Sequence, residues 1–337
     1  MRIDLYLLKA NNIYGFVMSH VIRITIRTIL SLLIITSLLS VGSQAFSQNL
    51  DNTNIDSNTV DKEGEVNSLR FSVLSTAESS GSVEAMVVEG GGWLTFRKLL
   101  HVAVLVKHPK GDFLWDSGIG AEYEDQMSVL NFWEKQLFSI ENVVPAYQQL
   151  ESNSYPFKNL TAIIPSHMHW DHASGLEDFD DVPVWIQENS YQEAFNGKPP
   201  GFIQSQFDSP EINWHKFELA NKPYQGFQKS LDIYGVGTAV LVDLSGHTHG
   251  QLGLFLNVEN DKSYFFIGDT AWSVIGIEQN KSRPGFVDWM VGVDTDYEKN
   301  ADVVEQIHEL HKRQPEIFIV PAHDELQIQQ LPAYPLF

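Results

Sequence analysis

The run "SHMHWDHASG", Ser166 to Gly175, places three imidazoles (His167, His169, His172) and one carboxylate (Asp171) within six positions, in a chain that has 12 His among 337 residues. Neutral imidazole nitrogens and carboxylate oxygens are donors that suit Zn2+, with Mn2+, Fe2+ and Co2+ also accepted. In a loop or tight turn such a run aims its donors inward, toward two adjacent cations. Three further groups of the same chemistry lie downstream: His247 after "AVLVDLSG", Asp269 after "YFFIG" and His323 after "IFIVPA". Two cations about 3.5–4 Å apart lower the pKa of bound water toward about 7, which makes a nucleophile at neutral pH. A carboxylate beside such a nucleophile can orient it and take up its proton.

Each of these groups stands where a hydrophobic strand has just ended, the cluster itself following "AIIP". Loops at strand ends, held by a rigid sheet, are common places for sites. The surrounding pattern supplies the sheets. "LRFSVLS" (69–75) and "LLHVAVLVKH" (99–108) read as strands, and Pro-Lys-Gly-Asp at 109–112 turns the second into "FLWD" as a hairpin. Val129, Phe132, Trp133 and Leu137 recur at helical spacing, which predicts a helix or helices across 128–150 with a core-facing apolar side. "LTAIIPSH" reads as a buried strand, and 183–195 as a short strand followed by a helix. "TAVLVDL", "LGLFLNV" and "SYFFIGD" are three further strands. A helix is predicted over 301–312 with Asn300 as its N-cap, and "EIFIVP" is the last strand. Strands with interspersed helices in both halves predict an α/β layered domain.

The first 45 residues differ from the rest. Arg23 and Arg27 precede an apolar run from Ile29 to Val41 and a small-residue end at Ser43-Gln44-Ala45, the three-part pattern of a secretory signal peptide. That run is short of the ~20 apolar residues a spanning helix needs. The expectation is an exported protein, periplasmic or secreted, with no stable membrane span once residues 1–45 are removed. Residues 46–68 read as a flexible polar linker before a domain at 69–337. There is no cysteine, which excludes thiolate ligands and thiol nucleophiles. The formal charge is −21, and because residues 1–45 are net +3 the remainder is more acidic still, at −24. Nucleic-acid binding runs on Lys and Arg, so such a partner is not expected.

The motifs occur in the order "LWDSG" (114–118), "SHMHWDH" (166–172), "SGHTHG" (245–250), "IGDTAW" (267–272) and "VPAHD" (320–324). In this the chain resembles the metallo-β-lactamase-fold hydrolases over essentially all of 69–337, nearest to their lactonase and organophosphate-hydrolase-like branch. The resemblance implies an α/β fold, a four-layer αβ/βα sandwich in a single domain, with a dinuclear site at one edge of two sheets. It implies two divalent metal ions, Zn2+ in the first instance. One would be held by His167, His169 and His247, the other by Asp171, His172 and His323, with Asp269 bridging. A shared hydroxide would then attack the carbonyl of a lactone or ester of a small, partly apolar molecule.

Asp116 reads as support for the metal loops. Trp272 stands where the best-known lactonases carry Tyr, and is expected to form an apolar wall against substrate. The sequence His247-Thr248-His249-Gly250-Gln251 departs from the usual His-Thr-Pro-Gly-His. Alternatives on the same motifs are a mononuclear non-haem iron enzyme of the persulfide-dioxygenase type, and an organophosphate or β-lactam hydrolase. Among the other histidines, His249 reads as supporting or exposed, His308 and His311 as solvated, and His101, His108 and His215 as structural. A homodimer is left open.

Overall fold

The computed structural model describes residues 69–79, 81–258 and 262–337. The expected signal peptide (1–45) and the expected flexible linker (46–68) both lie outside the described residues. The chain enters as β1 (Arg70–Ser79), and a small ribbon of β2 (Ser82–Val83) and β3 (Phe96–Arg97) follows. The hairpin read from Pro109–Asp112 joins β4 (Leu100–Lys107) to β5 (Asp112–Trp115). With β6 (Ile140–Glu141), β7 (Leu160–Ile164), β8 (Val184–Gln187) and β9 (Trp214–Phe217) these complete a mixed sheet in the order β6-β1-β4-β5-β7-β8-β9. A second mixed sheet runs in chain order through β10 (Ser230–Asp232), β11 (Ala239–Asp243), β12 (Leu252–Val258), β13 (Lys262–Phe266) and β14 (Ile317–Val320).

Strand side chains alternate between two faces, and here both faces are apolar. Phe71, Val104, Trp115 and Ile164 of the first sheet meet Leu241, Leu254, Leu256, Phe266 and Val320 of the second in one inter-sheet core. The intervening residues Leu74, Leu105, Leu114 and Ile163 point outward and pack under Ala146, Leu150 and Ala194, from the helices Ala146–Ser152 and Glu188–Asn196. On the far side Val240, Val242, Phe255 and Phe265 pack against Val303, Val304, Ile307 and Leu310 of the helix Tyr297–Arg313. Helices, sheet, sheet, helices: this is the expected four-layer αβ/βα sandwich. No helix among the described residues is long and apolar enough to cross a membrane.

Two local readings need correction. The late helix begins at Tyr297, one turn before the expected start, because Asp296 accepts a hydrogen bond from the Lys299 N–H and caps it. Asn300 is buried inside that helix, where its Nδ2 donates to the carbonyl of Thr270. Helices do fall across residues 128–150, at Phe132–Leu137 and Ala146–Ser152, but the first does not face the core as expected. The first of these buries none of its residues: Phe132 is 65% exposed, and Val129, Trp133 and Leu137 are exposed with it. An Asn131–Glu134 capping box holds that helix in place of apolar packing.

Candidate metal centre

Pro165 follows β7, and His169, with extended backbone (φ −67°, ψ 158°), precedes a single helical turn, Trp170–Ala173. His167 and His169 both reach His247, while the helical turn carries Asp171 and His172 toward His323 and Asp269. Three loops of the second sheet come to meet them. His247 follows β11 by four residues, Asp269 follows β13 by three and His323 follows β14 by three. All seven residues predicted to hold metal are thereby brought to one edge of the two sheets.

Their donor atoms fall into close groups. His167, His169 and His247 form one triad; His172 and Asp269 meet beside His167; Asp171 and His323 meet beside His101. His247 Nε2 lies 3.2 Å from His167 Nε2 and 2.9 Å from His169 Nδ1. Asp269 Oδ1 lies 3.2 Å from His172 Nε2 and 3.0 Å from His323 Nε2, and Asp171 Oδ2 is 3.3 Å from His323 Nε2. Asp269 thus stands between the two sets, with its Oδ2 3.8 Å from His247 Nε2.

Five of the seven have a partner that fixes which atom faces inward. His167 Nδ1–H donates to Ser166 Oγ, which in turn donates to Asp116 Oδ2. His172 Nδ1–H donates to Asp116 Oδ2 (3.0 Å), His247 Nδ1–H to Asp294 Oδ1 (2.8 Å) and His323 Nδ1–H to the carbonyl of Leu100 (2.7 Å). Trp272 Nε1–H donates to Asp269 Oδ2. Such outer partners set tautomer and orientation in metal sites. Asp116 does this from a left-handed backbone (φ +56°) at the end of β5, a conformation uncommon outside glycine.

The electrostatics split the site in two. Burial, with help from neighbouring imidazoles, holds His167 well below its ordinary value and pulls His169 down to about 3, so both present lone pairs. Burial also opposes charge on His172 and His323, yet the surrounding carboxylates outweigh it and push both upward. Burial would raise Asp171 and Asp269, and the adjacent imidazoles instead draw both below the usual carboxylate range. Asp269 Oδ1 and His172 Nε2 are buried without hydrogen-bond partners. Leaving such atoms unpaired costs about 1–3 kcal/mol each. A cation between them satisfies both, so the donor set fits two divalent ions, and its N/O composition suits zinc.

The remaining sequence-level residues sort as follows. Trp272 is partly buried, its N–H engaged by Asp269, and the Arg283 guanidinium lies 4.9 Å from its ring. His249 is exposed and paired with Glu193. His108 stacks on Tyr234 and His215 packs on Trp185. His308 is not merely solvated, since its Nδ1–H donates to the carbonyl of Ile277. His101, read as structural, stands instead against Asp171, with Nδ1 3.1 Å from Oδ2. Asp294 and Arg283 carry no signal in the sequence; their side chains are buried at His247, and they pair with each other.

The chain belongs to the metallo-beta-lactamase superfamily, whose family model matches residues 97–310. It is similar to the N-acyl homoserine lactonase AttM of Agrobacterium fabrum, 25% identical over 142 residues, which is 41% of this chain and 51% of that one. It is likewise similar to an N-acyl homoserine lactonase of Bacillus thuringiensis, 25% identical over 199 residues, 57% of this chain and 74% of that one. The chain thus spans about half the length of the first of these curated relatives. Among solved structures it shares its fold with an N-acyl homoserine lactone hydrolase bearing the product N-hexanoyl-L-homoserine at its catalytic metal centre. That match has a TM-score of 0.61 at 20% identity and covers 80% of this chain and 98% of that one. The dizinc quorum-quenching lactonase AidC matches with a TM-score of 0.52 at 15% identity, covering 78% and 90%.

Proposed function

We propose that this protein is a two-metal hydrolase that opens lactones or esters of small, partly apolar molecules. The observation that carries this reading is the convergence of seven donors, six buried and His169 partly buried, each fit to hold a cation. His167, His169 and His247 would hold one ion, Asp171, His172 and His323 the other, and Asp269 would lie between them. Two divalent ions held there supply positive charge to polarise a carbonyl and a water acidic enough to attack at neutral pH. The chain's own part is orientation and proton transfer. Asp171 Oδ2 is engaged by His101 and His323, and Oδ1 takes no hydrogen bond from the described residues. We assign Oδ1 to accept the proton of the attacking water and to return it to the departing alkoxide.

The apolar side chains support a partly apolar substrate. Phe202 packs on His169, and Tyr123 and Phe138 pack on Trp170, so aromatic groups border the donors. The lactone-specific names of the relatives favour a cyclic ester as the first substrate to try. The N-terminal pattern of residues 1–45 supports export, and the acidity of the chain supports a small molecule over a nucleic acid.

The test is metal quantification joined to a substrate panel. Protein loaded with two equivalents of Zn2+ is expected to hydrolyse acyl lactones or aryl esters, and to lose that activity to a chelator. Failure on every lactone and ester, with two ions bound, would overturn the reading. Activity with a single iron would instead favour the dioxygenase alternative.

A further inference from the structure

Five of the seven metal-holding residues are oriented by a group that is not itself a ligand: Ser166, Asp116, Asp294, the Leu100 carbonyl and Trp272. His169 is braced by the ring of Phe202. For Asp171, the residue whose free oxygen matters most to proton transfer, the candidate is His101. Its Nδ1 lies 3.1 Å from Asp171 Oδ2, and both residues are buried. The other nitrogens near Asp171, His323 Nε2 at 3.3 Å and His172 Nε2 at 3.9 Å, are ligand atoms themselves.

The fold is built to aim His101 there. The β1–β4 register slips by one residue between Ser75 and Ala77, opposite Val102 and His101. Such bulges re-aim side chains and concentrate near active sites. The extra residue, Thr76, is buried, and its hydroxyl donates to the carbonyl of His101 (2.8 Å). One residue earlier, Leu100 N–H donates to the carbonyl of His323 while the Leu100 carbonyl accepts from His323 Nδ1–H. The His101 ring is then wedged between Trp170 and His323, at 5.4 and 5.1 Å between centroids. An ionised carboxylate can only accept, so Nδ1 carries the proton in this contact.

We propose that His101 is the positioning residue of the second metal triad, its Nδ1–H holding Asp171 Oδ2 so that the carboxylate closes on His323 with Oδ1 facing the cleft. The assignment rests on the two-ion reading of the site and on no choice of substrate. Its loss weakens the second ion selectively, because Asp171 serves only that triad, whereas His167, His169 and His247 keep their own supports.

The experiment is stepwise Zn2+ titration of metal-free protein against a chromophoric chelator, for wild type, His101→Ala and His101→Asn. Asparagine places its Nδ2–H where the imidazole places Nδ1–H, and so keeps the donor without the ring. Wild type is expected to bind two ions. His101→Ala is expected to keep one step and weaken the other by about 10–100-fold. His101→Asn is expected to recover most of that loss, with melting temperatures of the metal-free variants near wild type as the check on folding. Two wild-type steps in His101→Ala overturn the proposal, as does equal weakening in both variants, which would make the ring a ligand or a packing group. A single step in wild type overturns the two-ion reading itself, and the role of His101 with it.

Discussion

Trp272 Nε1–H donates a 2.9 Å hydrogen bond to Asp269 Oδ2, so the indole fixes the carboxylate that stands between the two metal sets. The resemblance to lactonases led us to expect an apolar wall at this position. The contact gives the ring an additional, orienting job. Trp272→Phe keeps the ring and removes the donor. Both ions are expected to stay bound, and kcat on the best ester is expected to fall about 10-fold. A kcat equal to wild type would show that the indole contributes only bulk.

Asp269 itself is the second test. Asp269→Ala removes the carboxylate that lies against His172 and His323 on one side and His247 on the other, and is expected to lose one metal ion and most hydrolysis. Full activity with two bound ions in this variant would remove the bridging role.

Arg283 and Asp294 form a buried ion pair behind His247. Burial pushes the Asp294 carboxyl upward, and the guanidinium together with His247 brings it below its usual value. Asp294→Ala leaves a buried cation unpaired, a change that costs roughly 3–5 kcal/mol. Urea unfolding should show that loss, and also a smaller loss in the Arg283→Met/Asp294→Ala double variant. A double variant as unstable as the sum of its singles would argue against the pair as a unit.

Asp178 offers a pH-dependent test away from the metals. Burial raises its carboxyl from the ordinary 3.8 to about 6, against hydrogen bonds from Ala121 N–H. A folded-state pKa above the unfolded one means that the folded state binds the proton more tightly. Stability from this group is therefore full below about 3.8 and is lost as pH rises toward about 6. The whole shift converts to about 3 kcal/mol, and partial exposure reduces this to about 1 kcal/mol. Asp178→Asn keeps an acceptor for Ala121 and should raise the melting temperature at pH 7 but not at pH 4.

Gly118 closes the "LWDSG" motif with φ +62°, and a Cβ there would lie 2.4 Å from Thr76 Oγ1. Gly118→Ala therefore meets both a strained backbone and a clash with the bulge residue that holds His101. A loss of about 1–3 kcal/mol is expected in thermal unfolding, and an unchanged melting temperature would contradict this packing.

The strands and the seven donors were legible because both follow local rules: alternating apolar runs, and donors placed just after each run. His101 was not, because a histidine inside "LLHVAVLVKH" looks like any strand residue, and its meaning depends on a bulge in the partner strand. Asp294 and Arg283 were hidden for a related reason. Their partner, His247, is 47 and 36 residues away, and no spacing rule connects them. The exposed face of Phe132–Leu137 misled in the other direction. Helical periodicity marks an apolar side, but it does not say whether anything in the chain covers it.

Each candidate metal set draws on both sheets. His167 and His169 come from the loop after β7 of the first sheet, and His247 from the second; Asp171 and His172 come from the first, Asp269 and His323 from the second. An ion in either set is then a rivet through the seam of the sandwich. At a free metal concentration a thousand times its Kd, one such rivet adds about 4 kcal/mol to the folded state. Metal scarcity would accordingly lower the stability of the fold and leave that seam more open to proteases.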